Sequence, residues 1–126
     1  LKGRKQQLWP RHCVRNTPGA WFHPDLDITG NLLIHKGTNP DIDSLSGFYD
    51  DHHIQNTGLT QILRRLGITH VDVIGLATEF CVGLTALDAI SDGFTTRLLT
   101  EGSRGLDEKA IQAMYERIIA AGGEVV

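Results

Sequence analysis

Two side chains in this 126-residue sequence have the type and placement to do chemistry together, Cys81 and Lys36. Cys81 lies in the stretch HVDVIGLATEFCVGLTALDAISD, and Lys36 closes the apolar run NLLIHK. Val71, Val73, Ile74 and Leu76 make a β-rich run that Gly75 breaks near its end. From Glu79 the period changes, and Phe80, Leu84, Leu87 and Ile90 recur at helical spacing. Thr78 is then the expected N-cap, and Cys81 falls in the first helical turn, just past a buried strand. Unpaired N–H groups and the positive end of the helix dipole favour a thiolate there. A strand, a tight turn and a thiol at a helix N-terminus together display a nucleophile. The competing reading is that Cys81 is a small buried hydrophobe, as most free cysteines are.

Lys36 has a competing reading too. A lysine ending an apolar strand, taken alone, is a surface residue whose stem snorkels. Next to a thiol, its ammonium would hold the thiolate and stabilise an anionic intermediate. The turn Leu76-Ala77-Thr78 also supplies backbone N–H groups where an oxyanion hole needs them.

The elements that must position this pair follow from pattern. Residues 1–7 are polar and basic and read as a surface lead-in. Leu8 to Gly30 carries three prolines and no sustained period, yet holds both tryptophans, two histidines and Cys13, so it reads as a structured loop. Asn31–Lys36 is expected to be a short buried strand. Residues 37–58 form a second long irregular stretch, and loops beyond about 12–15 residues are often functional. Within it Asp50-Asp51-His52-His53 looks like a metal cluster, but adjacent side chains converge poorly on one ion, so a solvated loop is expected. Leu59, Ile62, Leu63 and Leu66 give a helix closed by Gly67. After the central strand and helix, Thr95–Thr100 is a strand and EGSRGL a loop. Asp107 caps a helix with the stripe Ile111, Met114, Tyr115 and Ile118, ended by Gly122-Gly123. Glu124 opens a last strand. Strands alternating with helices predict an α/β fold, a doubly wound parallel sheet with helices on both faces. Ligands in such sheets bind beyond the carboxyl ends of the strands. Lys36 and Cys81 both follow such ends.

Composition narrows the class. The length suits one domain with one core. A hydrophobic content of 40% and a net charge of −3 give no electrostatic case for nucleic acid or an anionic membrane. Cys13 and Cys81 form neither a C-x-x-C pair nor a disulfide framework, so a reducing cytoplasm is expected. No apolar run approaches the roughly 18 residues of a membrane span, and no signal peptide is evident. The chain begins Leu1-Lys2-Gly3 without an initiator Met, which reads as processing or as a fragment.

Three blocks carry a family resemblance. GLATEFCVGLTALDA resembles the nucleophile motif of bacterial nicotinamidases and pyrazinamidases, within the isochorismatase-like cysteine hydrolases. LWPRHCVRNTPGAWFHPDL resembles their W-P-x-H-C block and HKGTNPDIDSLSGF their lysine block, in the same order. The resemblance runs from about Leu8 to the C-terminus. It implies that Cys81 is the nucleophile and Lys36 the second member of an Asp-Lys-Cys triad. It implies an oxyanion hole from the amides of Ala77 and Cys81, with a cis peptide at Leu76–Ala77. His12 would bind a divalent metal (zinc, iron or manganese in different members), and Trp9 and Phe80 would line the substrate pocket. Cys13 would be a packed neighbour. The implied activity is hydrolysis of nicotinamide to nicotinate and ammonia through a cysteine thioester, a step of NAD salvage. The partners would be a small amide substrate and further copies of the chain, with no nucleic acid or membrane.

The sequence also departs from the family pattern. The family's triad Asp and its D-x-H metal motif lie upstream of the W-P-x-H-C block, and this chain starts only a few residues before that block. A single isochorismatase-like domain over residues 1–126, lacking its N-terminal strands, is therefore expected, with unpaired strand edges and no amidase activity of its own. Leu45 stands where a tyrosine is common, and Glu79-Phe80 where Asp-Tyr is usual. Two alternatives stay open: another hydrolase of the superfamily acting on a small amide or ether, and an inactive remnant or assembly module whose surface matters.

Overall fold

The structure, a computed structural model, describes residues 9–126; the basic lead-in lies outside the described residues. These residues fall into two units, 9–33 and Ile34–Val126. The first is irregular, as its prolines require. Its one regular piece is a 3₁₀ turn at Pro18–Ala20, where Trp21 N–H donates to the Pro18 carbonyl. Thr17 closes the preceding turn through its hydroxyl, which donates to the Val14 carbonyl at 2.7 Å.

The second unit is built in alternation. Helix α1 (Leu59–Arg65) leads to strand β1 (His70–Leu76), and one π-helical turn (Thr78–Val82) runs into α2 (Gly83–Ser91). Strand β2 (Thr95–Arg104), helix α3 (Glu108–Ala120) and the short β3 (Glu124–Val125) follow. The three strands form one parallel sheet in the order β1-β2-β3, so α2 and α3 are its crossovers. The α/β parallel-sheet expectation is met.

Side-chain alternation decides what the sheet buries. Val73, Leu98 and Val125 face Val82 and Ala86 of the nucleophile segment and Met114 and Ile118 of α3. A second cluster joins Ala89 of α2 to Phe48, Phe94, Leu59, Leu63 and Val71. Helix α2 thus packs into both clusters. Burying each large apolar side chain contributes on the order of 1.5–3 kcal/mol, so the segment after Cys81 is held by most of the core. On the opposite face Ile74 and Leu76 are exposed, and Arg97 pairs with Asp72 at 2.7 Å. That pairing draws the Asp72 carboxyl below its ordinary range through the guanidinium hydrogen bond.

Several local expectations hold for local reasons. The Asp107 side chain accepts from the Ala110 N–H at 2.8 Å, an N-cap for α3. Gly67 and Gly122 follow α1 and α3 with φ of 70° and 93°, the left-handed ending only glycine takes cheaply.

Three expectations are corrected. Asn31–Lys36 is not a strand, because among the described residues no neighbour supplies the ladder a strand needs, and Leu32 and Leu33 are exposed. Thr78 is not an N-cap: Ala77 takes that position with extended φ and ψ, and Thr78 is fully buried inside the π turn. Strand β2 runs through EGSR, read above as loop, to Arg104. There Gly75 pairs with Ser103 and Leu76 with Arg104, after a register shift between Val73 and Gly75. Gly102 permits this, since a Cβ on it would stand 2.8 Å from Ile74 Cγ2.

Candidate active site

Cys81 emerges from the π turn between β1 and α2. The turn is tied to its own start, where the Ala77 carbonyl accepts from Phe80 N–H at 3.0 Å and from Val82 N–H at 3.1 Å. The Leu76–Ala77 peptide is cis, as the resemblance implied. Gly83 then lets two elements close in. A Cβ there would overlap Met114 of α3 and stand 2.7 Å from the Thr78 carbonyl oxygen.

Lys36 reaches this thiol. Its Nζ lies 3.1 Å from Cys81 Sγ and donates to the carbonyls of Ser44 at 3.0 Å and Leu45 at 2.9 Å. An ammonium carries three donors and no acceptor, so this arrangement uses all of them. Two carbonyls aim the ammonium, and the remaining N–H is directed at sulfur. The pair can hold a thiolate and present it, partly buried, to an electrophile.

The loop that carries those carbonyls is held from within. Thr57 donates its hydroxyl to the Gly47 carbonyl at 2.7 Å, and Tyr49 and Asn56 form an antiparallel bridge. Asp50 is buried rather than solvated, whereas Asp51 is partly buried and His52 and His53 are exposed, so the reading of this run as a solvated loop is corrected at Asp50. Its Oδ1 accepts from the N–H groups of Ile54 at 2.7 Å and Gln55 at 3.0 Å, closing the loop as an internal cap. His53 leaves the loop instead, meeting Asp88 of α2 at 3.2 Å and stacking on Tyr49 at 4.5 Å between ring centres. The Tyr49 hydroxyl donates to Asp92 at 3.0 Å, and Thr60 bonds the same carboxylate. Burial, with Asp92 beside it, raises the Tyr49 phenol above its ordinary value. A cavity of about 400 Å³ is bounded by Lys36, Asn39, Ser44, Asp50 and Gln55.

Sequence reasoning missed two contributors. The carbonyls of Ser44 and Leu45 are backbone groups with no side-chain signature. Glu79 received no site role from the sequence, yet it is 7% exposed. Its Oε1 accepts from Leu106 N–H at 2.7 Å and Asp107 N–H at 2.9 Å, which ties the nucleophile turn to the entry of α3. Gly105 was its signal, for a Cβ there would overlap Glu79 and Ile111. Phe80, next to the thiol in sequence, is partly buried.

His12 and Trp9 belong to the first unit. Trp9 is partly buried. His12 is exposed, and its Nδ1 donates to the Pro10 carbonyl at 2.6 Å, which in a neutral ring puts the lone pair on Nε2. That is a form in which a histidine ligates metal. It is one donor, however, and among the described residues no three His, Cys, Asp or Glu side chains group as a metal site. The described residues do not by themselves complete a metal site, and His12 is the donor they would offer to one. No helix among them is long and apolar enough to cross a membrane.

Comparison with known proteins gives a consistent result. The model of the isochorismatase domain matches residues 2–126. A nicotinamidase of Escherichia coli is 43% identical over 108 residues, covering 85% of this chain and 51% of the relative. The chain therefore spans about half the length of that relative. The crystal structure of PnC1 from L. infantum in complex with nicotinate superposes with a TM-score of 0.89 at 35% identity, over 94% of this chain and 60% of that one. The Pyrococcus horikoshii pyrazinamidase in complex with zinc gives 0.83 at 39% identity, over 94% and 63%.

Proposed function

We propose, since this chain belongs to the isochorismatase domain family, that it carries the nucleophilic half of a nicotinamidase-type amidohydrolase. The observation that carries this reading is the contact of Lys36 Nζ with Cys81 Sγ at 3.1 Å, with the ammonium's other donors fixed on two carbonyls.

In this proposal the Cys81 thiolate attacks the carboxamide carbon of nicotinamide. The amides of Ala77 and Cys81 take the developing oxyanion, and Lys36 offsets the negative charge. Collapse breaks the C–N bond and leaves a thioester, and ammonia departs with the proton that the thiol gave up. Water then cleaves the thioester to nicotinate and restores the thiol. A general acid/base must carry that proton. No Asp of this chain is assigned to it; the group is proposed to lie outside these residues, as the resemblance implies. Trp9 and Phe80 are proposed to line the pocket for the pyridine ring. His12 is proposed to contribute Nε2 to a divalent metal, of which zinc, iron and manganese are the candidates, and no step is routed through that ion. The product acid would feed NAD salvage. A reducing cytoplasm and assembly into homo-oligomers belong to the same proposal; the unpaired cysteines and the exposed Ile74 and Leu76 on β1 agree with them.

The test is ammonia release from nicotinamide by the 126-residue chain, alone and with an added polypeptide carrying the relatives' preceding segment. The chain alone is expected to fall short of the complemented protein by about 10²–10⁴-fold, the usual worth of a general acid/base. Full turnover by the chain alone would place the proton carrier within it and overturn that part of the proposal. No turnover in either arm would overturn the assignment of the activity.

A further inference from the structure

We propose that Thr85 is a positioning residue that ties the lysine-bearing loop to the nucleophile turn, so that Lys36 and Cys81 meet at a fixed distance. The inference rests on the reading above that these two side chains act as a pair.

Thr85 sits on α2, one turn after Cys81. Its Oγ1 accepts from the Gly47 N–H at 2.8 Å and lies 2.6 Å from the Cys81 carbonyl oxygen. An amide N–H can only donate, so the hydroxyl accepts at Gly47 and gives its one proton to Cys81. A helical threonine often bonds back to the carbonyl four residues earlier, and that habit alone would explain the second bond. It does not explain the first. Gly47 is two residues beyond Leu45, whose carbonyl, with that of Ser44, aims the Lys36 ammonium.

The contacts therefore close a ring: Lys36 to the Leu45 carbonyl, along the chain to Gly47, through the Thr85 hydroxyl to Cys81, and from sulfur back to Lys36. Each partner of the reactive pair is held by an element that the hydroxyl touches. Gly47 lies against this side chain, for a Cβ on it would stand 3.5 Å from both Thr85 Cγ2 and Oγ1. Further ties from the loop reach Asp88 of α2 and Asp92 at its C-cap. Thr85 is the one of these that acts within a turn of the thiol.

Valine has the shape of threonine without the hydroxyl, so Thr85→Val removes both bonds and turns a methyl toward the Gly47 N–H. Small misplacements of reacting groups cost up to about a hundredfold. Thr85→Val in the purified full chain is expected to slow alkylation of Cys81 by iodoacetamide at neutral pH about tenfold, with the site mapped by mass spectrometry. In the complemented enzyme it should lower kcat by a similar factor with KM within about twofold. Thr85→Ser, which keeps the hydroxyl, should recover alkylation to within about threefold. Thr85→Ala replaces the valine variant if the latter does not fold. Alkylation of Thr85→Val at the wild-type rate, or a serine variant as slow as valine, would overturn the proposal. Lys36→Ala separates the two readings. If it slows alkylation and Thr85→Val does not, the positioning role falls alone; if neither does, the pairing of lysine and thiol falls with it.

Discussion

Replacing Lys36 by methionine keeps most of the side chain's length and removes its charge. The ammonium stands 3.1 Å from Cys81 Sγ. Two unit charges at that distance attract by about 1.3 kcal/mol under bulk-water screening and by about 5 kcal/mol at the effective dielectric of a surface pair. Lys36 is exposed and Cys81 partly buried, so solvent reaches one partner and the lower part of that interval applies. We take about 1.5–3 kcal/mol, which is about 10- to 150-fold in the rate of any step that needs the thiolate. Because the same charge offsets the oxyanion, kcat in the complemented enzyme should fall at least that far, with KM nearly unchanged. The variant also leaves the Ser44 and Leu45 carbonyls without their donor. A crystal structure or a thermal melt of Lys36→Met checks that the loop survives. Arginine is not expected to rescue, since its planar fork cannot direct single donors at two carbonyls and a sulfur as ammonium does. A methionine variant with raised KM and unchanged kcat would make Lys36 a binding residue and refute the reasoning.

Three further outcomes are expected. Limiting alkylation of the folded chain should modify Cys81 before Cys13, and peptide mapping that found Cys13 the faster would remove the nucleophile assignment. Gly83→Ala should cost about 1–3 kcal/mol of stability in urea titration, because the new Cβ meets the Thr78 backbone oxygen as well as Met114; a neutral substitution would mean that α3 can slide away. Tyr49 is raised above its ordinary value of 10.0 by burial and by Asp92. Its contribution is thus present below pH 10 and is lost as pH rises through the folded value. The stability advantage of wild type over Tyr49→Phe, read by chemical denaturation, should shrink above pH 10, and an advantage that grows there would contradict the sign.

What the sequence disclosed and what it withheld divide by the range of the interaction. Helix α3 was legible because its cap and its stop are written within its own length, in Asp107 and Gly122. From α1 onward the order of strands and helices was legible because period is local. The reach of β2 was not, since Glu101-Gly102-Ser103-Arg104 has the composition of a turn. It extends because Gly102 leaves room for Ile74 of the neighbouring strand. Asn31–Lys36 fails in the opposite sense. Its composition suits a strand, but a strand is a property of two segments, and no second one pairs with it among the described residues. The candidate site shows the same division. Cys81 and Lys36 could be named from their places after apolar runs, but not the contact between them, which depends on two backbone carbonyls and, in our proposal, on Thr85. Backbone acceptors look alike in every sequence, and a helical threonine gives no sign of which loop it will bond. The types of the reacting groups can be read locally; their distance is set by residues far apart in the chain.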